Sequence, residues 1–148
     1  MIFVDTNVVS EPLRPKPSEV VTAWFDANFE MCAVSTITMM ELAIGVQLLP
    51  AGRRRDRLQT AVSLALGRFG SRVLSFDENA ARAAASLLVL ARDGGLPLFN
   101  IEHKLADLQI AGIAAAHGCS LATRNIGDFR GLGIELIDPW SASASSRG

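Results

Sequence analysis

Four acidic residues stand where a folded chain seldom places a charge. Asp5 ends the apolar run Ile2-Phe3-Val4, Glu41 follows Ile37 by one helical turn, Asp107 falls near the first turn of an amphipathic stretch, and Asp128 lies just beyond Leu121-Ala122. Two carboxylates about 4 Å apart repel by about 4 kcal/mol at an effective dielectric of about 20, so a convergent set must be protonated, separated or neutralised. A bound cation removes all of that repulsion at once. Oxygen ligands without a matching Cys or His favour a hard ion, Mg²⁺ or Mn²⁺, which typically shares one or two carboxylates with a substrate phosphate. The chemistry this implies is phosphoryl chemistry: polarisation of a scissile phosphate and a lowered pKa for an attacking water, with a second ion, if there is one, on the leaving oxygen.

Each acid also has an ordinary alternative. Asp5 can cap a turn, Asp107 can serve a helix macrodipole, and Asp128 can make an Asx turn before Phe129. Glu41 is harder to explain that way, because an inward Glu without a partner is costly. The arginines Arg53, Arg54, Arg55 and Arg57 load the start of a helix, where positive charge opposes the macrodipole; an outside partner such as RNA is one reading and a solvated face the favoured one. His103, one turn before Asp107, is read as a surface or capping residue rather than a proton donor or ligand. His117 is expected to meet the carbonyls of a helix end, and Trp24 and Phe25 to be core or dimer-face residues rather than a base-stacking platform.

The elements that must position these residues alternate between strand and helix. Ile2-Phe3-Val4 has the wholly apolar, β-favouring character of a central parallel strand buried on both faces. A loop marked by Pro12, Pro15 and Pro17 follows, then a helix capped by Ser18 with Val20, Val21, Trp24 and Phe25 inside. Met31 to Val34 reads as a strand. Ser35 or Thr36 caps the next helix, with Ile37, Met40, Ile44 and Leu48 as its inner stripe and Glu41 on that side. After Pro50-Ala51-Gly52 an amphipathic segment turns Leu58, Val62, Leu66 and Phe69 inward, and Arg72 to Phe76 forms a further strand. Asp77 caps an Ala-rich helix that stops at Gly94-Gly95. A helix from about Lys104 to His117 buries Leu105, Leu108, Ala111 and Ala115 and ends at Gly118. Ser120 to Thr123 is a last core strand, and Ile134 to Ile137 adds an edge.

This order predicts an α/β fold, a three-layer α/β/α sandwich with a mainly parallel central sheet. In such sheets the ligand crevice lies beyond the carboxyl ends of the strands, where Asp5 and the turn from Asn125 to Asp128 both emerge. At 148 residues, 49% of them apolar, the chain suits one domain over residues 1–140, followed by a Ser-rich tail, 141–148, expected to be disordered. The start lacks a basic leader and no apolar run is long enough to span a bilayer, so the expectation is a cytoplasmic protein without a membrane partner. Cys32 and Cys119 are far apart and read as two buried thiols. A formal net charge of −1 gives no global attraction to nucleic acid, although twelve of the fourteen basic residues are arginine, so a polyanion would have to be held locally.

The opening Val4-Asp5-Thr6-Asn7-Val8-Val9-Ser10, the segment Met40-Glu41-Leu42-Ala43-Ile44-Gly45, the stretch Ala106-Asp107-Leu108-Gln109-Ile110-Ala111, and Thr123-Arg124-Asn125 with Asp128-Phe129 together resemble the PIN-domain family. The likeness runs from Met1 to about Trp140 and is greatest to the toxins of VapBC-type (type II) toxin–antitoxin pairs, including the FitB-like branch. It implies a toxin that cuts RNA endonucleolytically by metal-activated water with Mg²⁺ or Mn²⁺. By the same resemblance Asp5, Glu41, Asp107 and Asp128 are the metal-binding, catalytic acids, and Thr6, Asn7, Thr123 and Asn125 orient ligands or water. Candidate RNA contacts are Arg53, Arg54, Arg55, Arg57 and Arg124. The implied partners are a cognate VapB-like antitoxin, an RNA substrate, a second copy in a homodimer, and operator DNA only through the antitoxin complex. One departure stands out: between Gly95 and Asp107, Leu96 replaces a basic residue and Leu98 to Lys104 form a longer insert than such toxins often have. Two rival readings remain at this point. One is a non-catalytic, antitoxin-binding subunit of an operator-binding repressor; the other is a phosphotransfer domain with Asp5 as acceptor, which the Asn at position 7 argues against.

Overall fold

Phe3 and Val4 point to opposite sides of one sheet, and that alternation organises the molecule. The computed structural model describes residues 1–141; of the expected disordered tail, residues 142–148 lie outside the described residues. Five strands, β1 (Ile2–Val4), β2 (Cys32–Ser35), β3 (Val73–Leu74), β4 (Ser120–Ala122) and β5 (Leu136–Ile137), form a sheet of order β3-β2-β1-β4-β5. Every pairing is parallel, with Phe3 opposite Ala33 on one side and Leu121 on the other. All strands therefore end at the same edge, and the two neighbours of β1 deliver their carboxyl ends beside Asp5.

Phe3, Ala33 and Leu121 join a core with α5 (Glu78–Gly94) and α6 (Ile101–His117), while Val4, Cys32, Val34 and Ala122 join one with Phe25, Phe29 and Phe69. Helices thus cover both faces in the expected three layers. On the first face Asp77 caps α5 through a hydrogen bond from the Ala80 N–H at 2.9 Å. Gly95 and Gly118, each at φ 61°, end α5 and α6 in the left-handed conformation that glycine adopts without strain. Gly112 of α6 lies so close to α5 that a β-carbon there would sit 2.7 Å from the Ala80 carbonyl oxygen. On the second face, α2 (Glu19–Asn28), α3 (Thr36–Gln47) and α4 (Arg53–Gly67) surround the aromatic cluster. Phe25 and Phe29 meet edge to face at 5.6 Å, and Arg72 donates to the carbonyls of Phe29 and Cys32 while its guanidinium lies over the Phe29 ring.

Several expectations need correction. The loop foreseen after Asp5 begins instead as a short helix, α1 (Thr6–Ser10), followed by a 3-10 turn, Glu11–Leu13. The buried stripe of α3 is Thr38, Leu42 and Val46, whereas Met40, Ile44 and Leu48 are exposed. The apolar residues of α3 lie all round it, so hydrophobicity alone cannot choose the face; the Ser35 cap, accepting from the Thr38 N–H at 2.8 Å, turns Thr38 inward. Val20 and Leu105 are likewise exposed, and α6 starts at Ile101 with a break at Lys104. The strand foreseen over Arg72 to Phe76 is only Val73–Leu74. Cys32 and Cys119 are free, buried thiols as expected. Among the described residues no helix is long and apolar enough to cross a membrane.

Candidate metal centre

Asp5 leaves β1 directly into α1 and is 4% exposed. Its backbone N–H donates to the Ala122 carbonyl at 2.9 Å, which carries the sheet ladder one residue past the strand end. Oδ1 accepts from the Thr6 N–H at 2.7 Å, while Oδ2 accepts from the Thr123 hydroxyl at 2.8 Å and the Asn7 side-chain amide at 3.3 Å. Thr123 is itself buried and accepts the Asn125 N–H at 3.0 Å; Asn7 Oδ1 accepts the Arg124 N–H at 3.3 Å. The turns after β1 and β4 are thereby tied together around one carboxylate. Burial pushes the Asp5 carboxyl above its ordinary pKa, against the pull of the Thr123, Thr6 and Asn7 donors and with a smaller push from Asp128.

Glu41 comes from α3, half-buried, with Oε1 out of contact with solvent and without a hydrogen-bond partner. Its pKa is raised by burial, then by the charges of Asp5 and Asp107. The nearby Thr6 hydroxyl offsets this in part, yet it donates to Thr38 Oγ1 at 3.0 Å and leaves Oε1 unsatisfied. Asp107, on α6, is pushed up to about 6 by burial and by the Asp5 charge, with Lys104 acting in the opposite direction. Asp128, on α7 (Ile126–Phe129), accepts from Lys104 Nζ at 2.8 Å. The four acids therefore feel one another at the carboxyl edge of the sheet, delivered by four different elements.

Among the described residues no three His, Cys, Asp or Glu side chains stand in ready metal-holding geometry. The carboxylates share a field without closing into a cage, as like charges at low dielectric do. The donor set nevertheless suits a hard cation: it is all oxygen, Asp5 is fixed in orientation by three donors, and the buried Glu41 oxygen lacks any positive partner.

Of the other predicted residues, Thr6, Asn7 and Thr123 lie in this network, and Asn125 joins through its backbone N–H. Arg124 is exposed beside Asn7, with its guanidinium 5.4 Å from the Trp140 ring centroid. A groove between the Glu11–Leu13 turn, α3 and α4 has Glu41, Leu42 and Val46 in its wall, and continues past Leu13 and Leu58 to Arg53, Arg54 and Arg57. Arg55 lines neither part, and His103 and His117 are exposed. Sequence reasoning missed two participants. Thr38 is a buried hydroxyl behind Thr6, signalled only by its place three residues after the Ser35 cap. Lys104 is the cation beside Asp128, signalled only by its spacing of three residues before Asp107.

This parallel sheet with acids gathered at its carboxyl edge is that of a known family, and the chain belongs to it: the PIN domain model matches residues 2–133. Within that family it is 43% identical over 144 residues to the plasmid stability protein StbB of Pseudomonas syringae pv. tomato, covering 96% of this chain and 100% of the relative. It is 40% identical to the VapC ribonuclease Y4jK of Sinorhizobium fredii, over 95% of this chain and 98% of that one. To toxin FitB of Neisseria gonorrhoeae it is 39% identical, over 95% and 99%. Among solved structures, FitAcB from Neisseria gonorrhoeae superposes with a TM-score of 0.86 at 38% identity, covering 95% of this chain and 99% of that one. FitAB bound to a DNA fragment gives 0.87 at 37%, covering 98% and 99%. The resemblance to VapC- and FitB-type proteins inferred from the motifs is thus borne out.

Proposed function

We propose that this chain is the toxin of a type II toxin–antitoxin pair and a Mg²⁺- or Mn²⁺-dependent endoribonuclease. The observation that carries the reading is the buried, unpartnered Glu41 oxygen beside Asp5 and Asp107, a negative cavity wall that asks for a cation. Similarity to a VapC ribonuclease and to toxin FitB supports the same class. Asp5, Glu41 and Asp107 would hold the ion, and Asp128 would join them directly or through water. When bound, such an ion supplies Lewis-acid polarisation of a phosphodiester and acidifies water for in-line attack. Thr123, Asn7 and the Thr6 N–H keep the Asp5 carboxylate in one orientation, so little rearrangement is needed on loading. Thr38 holds Thr6 from behind.

The groove running from Glu41 between α3 and α4 suits the antitoxin. Its floor is apolar and its outer part carries Arg53, Arg54 and Arg57, so it fits a segment with apolar anchors, acidic flanks and a basic side chain directed at the carboxylates. The structure solved with FitAB on DNA supports an operator role exercised through such a complex. On α3 the exposed Met40, Ile44 and Leu48 give an apolar stripe in keeping with a further protein contact, including a second copy. Arg124, at the mouth beside Asn7, is the basic residue best placed for an RNA phosphate.

The test is cleavage of a mixed RNA pool by the antitoxin-free full chain with Mg²⁺, Mn²⁺ or EDTA, beside Asp5→Asn and Glu41→Gln. Metal-dependent cutting lost in both variants supports the nuclease. Equal cutting by all three proteins, or none with any metal, favours the binding-only subunit instead.

A further inference from the structure

Lys104 is the one feature of the centre that neither the motif nor the four-acid chemistry calls for. Its ammonium donates to Asp128 Oδ2 at 2.8 Å and stands 3.9 Å from Asp107 Oδ2. All three side chains are largely shielded, with 26%, 26% and 21% of their surface exposed for Lys104, Asp128 and Asp107. The residue also sits on a firm base. It occupies the break in α6, at φ −125° and ψ 15°, just after a 3-10 turn, Pro97–Phe99, whose Leu98 is fully buried and which packs against α5, α6 and α7. The ammonium is thus delivered by a segment anchored through buried Leu98, rather than by a loose surface arm.

Resting on the metal-nuclease reading above, we propose that Lys104 takes the place of a second divalent ion: the centre loads one ion on the side of Asp5, Glu41 and Asp107, which Asp128 reaches only through water, and the ammonium neutralises Asp128. Coordination of a divalent ion by a carboxylate oxygen requires about 2.1 Å. An ion on Asp128 Oδ2 would therefore lie at most about 5 Å from an ammonium bound to that same oxygen, so it would compete with the ammonium for one carboxylate and meet its repulsion, a cost that an ion held by Asp5 and Glu41 bears less. The oxygens near Glu41 face no such competitor, since Oε1 there has no partner. The pair also offsets the repulsion of Asp128 with Asp107 and Asp5. A fixed lysine charge next to a single divalent ion leaves the positive charge on the Asp128 side independent of ion concentration.

The experiment is a Mn²⁺ titration of the antitoxin-free full chain at one pH, with free Mn²⁺ read by electron paramagnetic resonance. The set comprises wild type, Lys104→Met, Lys104→Gln, Lys104→Arg, Lys104→Met with Asp128→Asn, and Asp5→Asn, each checked by a thermal melt. Expected stoichiometries are one ion for wild type and Lys104→Arg, two for Lys104→Met and Lys104→Gln, one again for the double variant, and none for Asp5→Asn. Two ions on wild type would overturn the proposal while leaving the nuclease reading intact. So would a single ion on both neutral variants, and should those fold poorly, two ions on wild type or on Lys104→Arg still overturn the proposal. Absence of any ion that Asp5→Asn removes takes down the metal reading itself, and this inference with it.

Discussion

The two faces of the sheet are built to different standards of closure. Behind Phe3, Ala33 and Leu121, α5 and α6 pack through alanines and Gly112 so closely that no β-carbon fits at position 112. Behind Val4 and Val34, α3 and α4 leave a groove between them lined by Leu42, Val46, Leu58 and Val62. Each face delivers one acid from a long helix, Asp107 from the closed side and Glu41 from the open one. The contrast teaches that the candidate centre is anchored from one side and approached from the other: α6 fixes a carboxylate through dense packing, while α3 brings its carboxylate to the end of a channel that a partner can fill.

That contrast can be broken in several ways, beginning with the closed face. Gly112→Leu should cost about 3 kcal/mol in chemical denaturation, because the colliding atoms are the backbone oxygen of Ala80 and the side chain of Ala84 rather than a flexible tip. At the junction of the faces, Thr123→Val removes a donor to Asp5 without changing shape. Mn²⁺ affinity by calorimetry should then fall about 10- to 100-fold.

A pH series sharpens the comparison further. The Asp107 carboxyl, with an ordinary pKa of 3.8, is pushed up to about 6, so between those values the folded chain holds a proton that the unfolded chain releases. Its contribution to stability is present at low pH and is lost as pH rises through about 6. Relative to Asp107→Asn, metal-free wild type should lose on the order of 2 kcal/mol between pH 4 and pH 7, a figure already reduced for its partial exposure and its coupling to Asp5. A flat difference would contradict the shielded, like-charged surroundings described for Asp107. On the open face, Leu48→Ser should shift stability by no more than about 0.5 kcal/mol, since Leu48 is 80% exposed. Should it cost as much as Gly112→Leu, the distinction between closed and open faces fails.

What could be read in advance follows from where local physics was decisive. Ile2-Phe3-Val4 meeting a carboxylate fixed both the central strand and the position of Asp5, and Gly95 and Gly118 announced the ends of α5 and α6. The acids were legible because a charge interrupting an apolar pattern is conspicuous. Three things were not. Thr6–Ser10 lacks good helix formers, with adjacent valines and prolines soon after, so its helix is imposed by the Asp5 cap and by tertiary contacts with α3. The inward face of α3 was ambiguous because Ile37, Met40, Leu42, Ile44 and Val46 offer apolar residues all round. The Lys104 to Asp128 contact joins residues 24 apart across a break in α6, a pairing that no local periodicity encodes.

The Thr123 to Asp5 hydrogen bond spans 118 positions of the chain. During synthesis, at about 5–20 residues per second, the donor is made roughly 6 to 24 s after the carboxylate it orients. The strand that completes β1 on that side, β4, arrives equally late. A nascent chain thus carries Asp5 through the synthesis of the next 118 residues without the donor that orients it, and the assembled centre waits on β4.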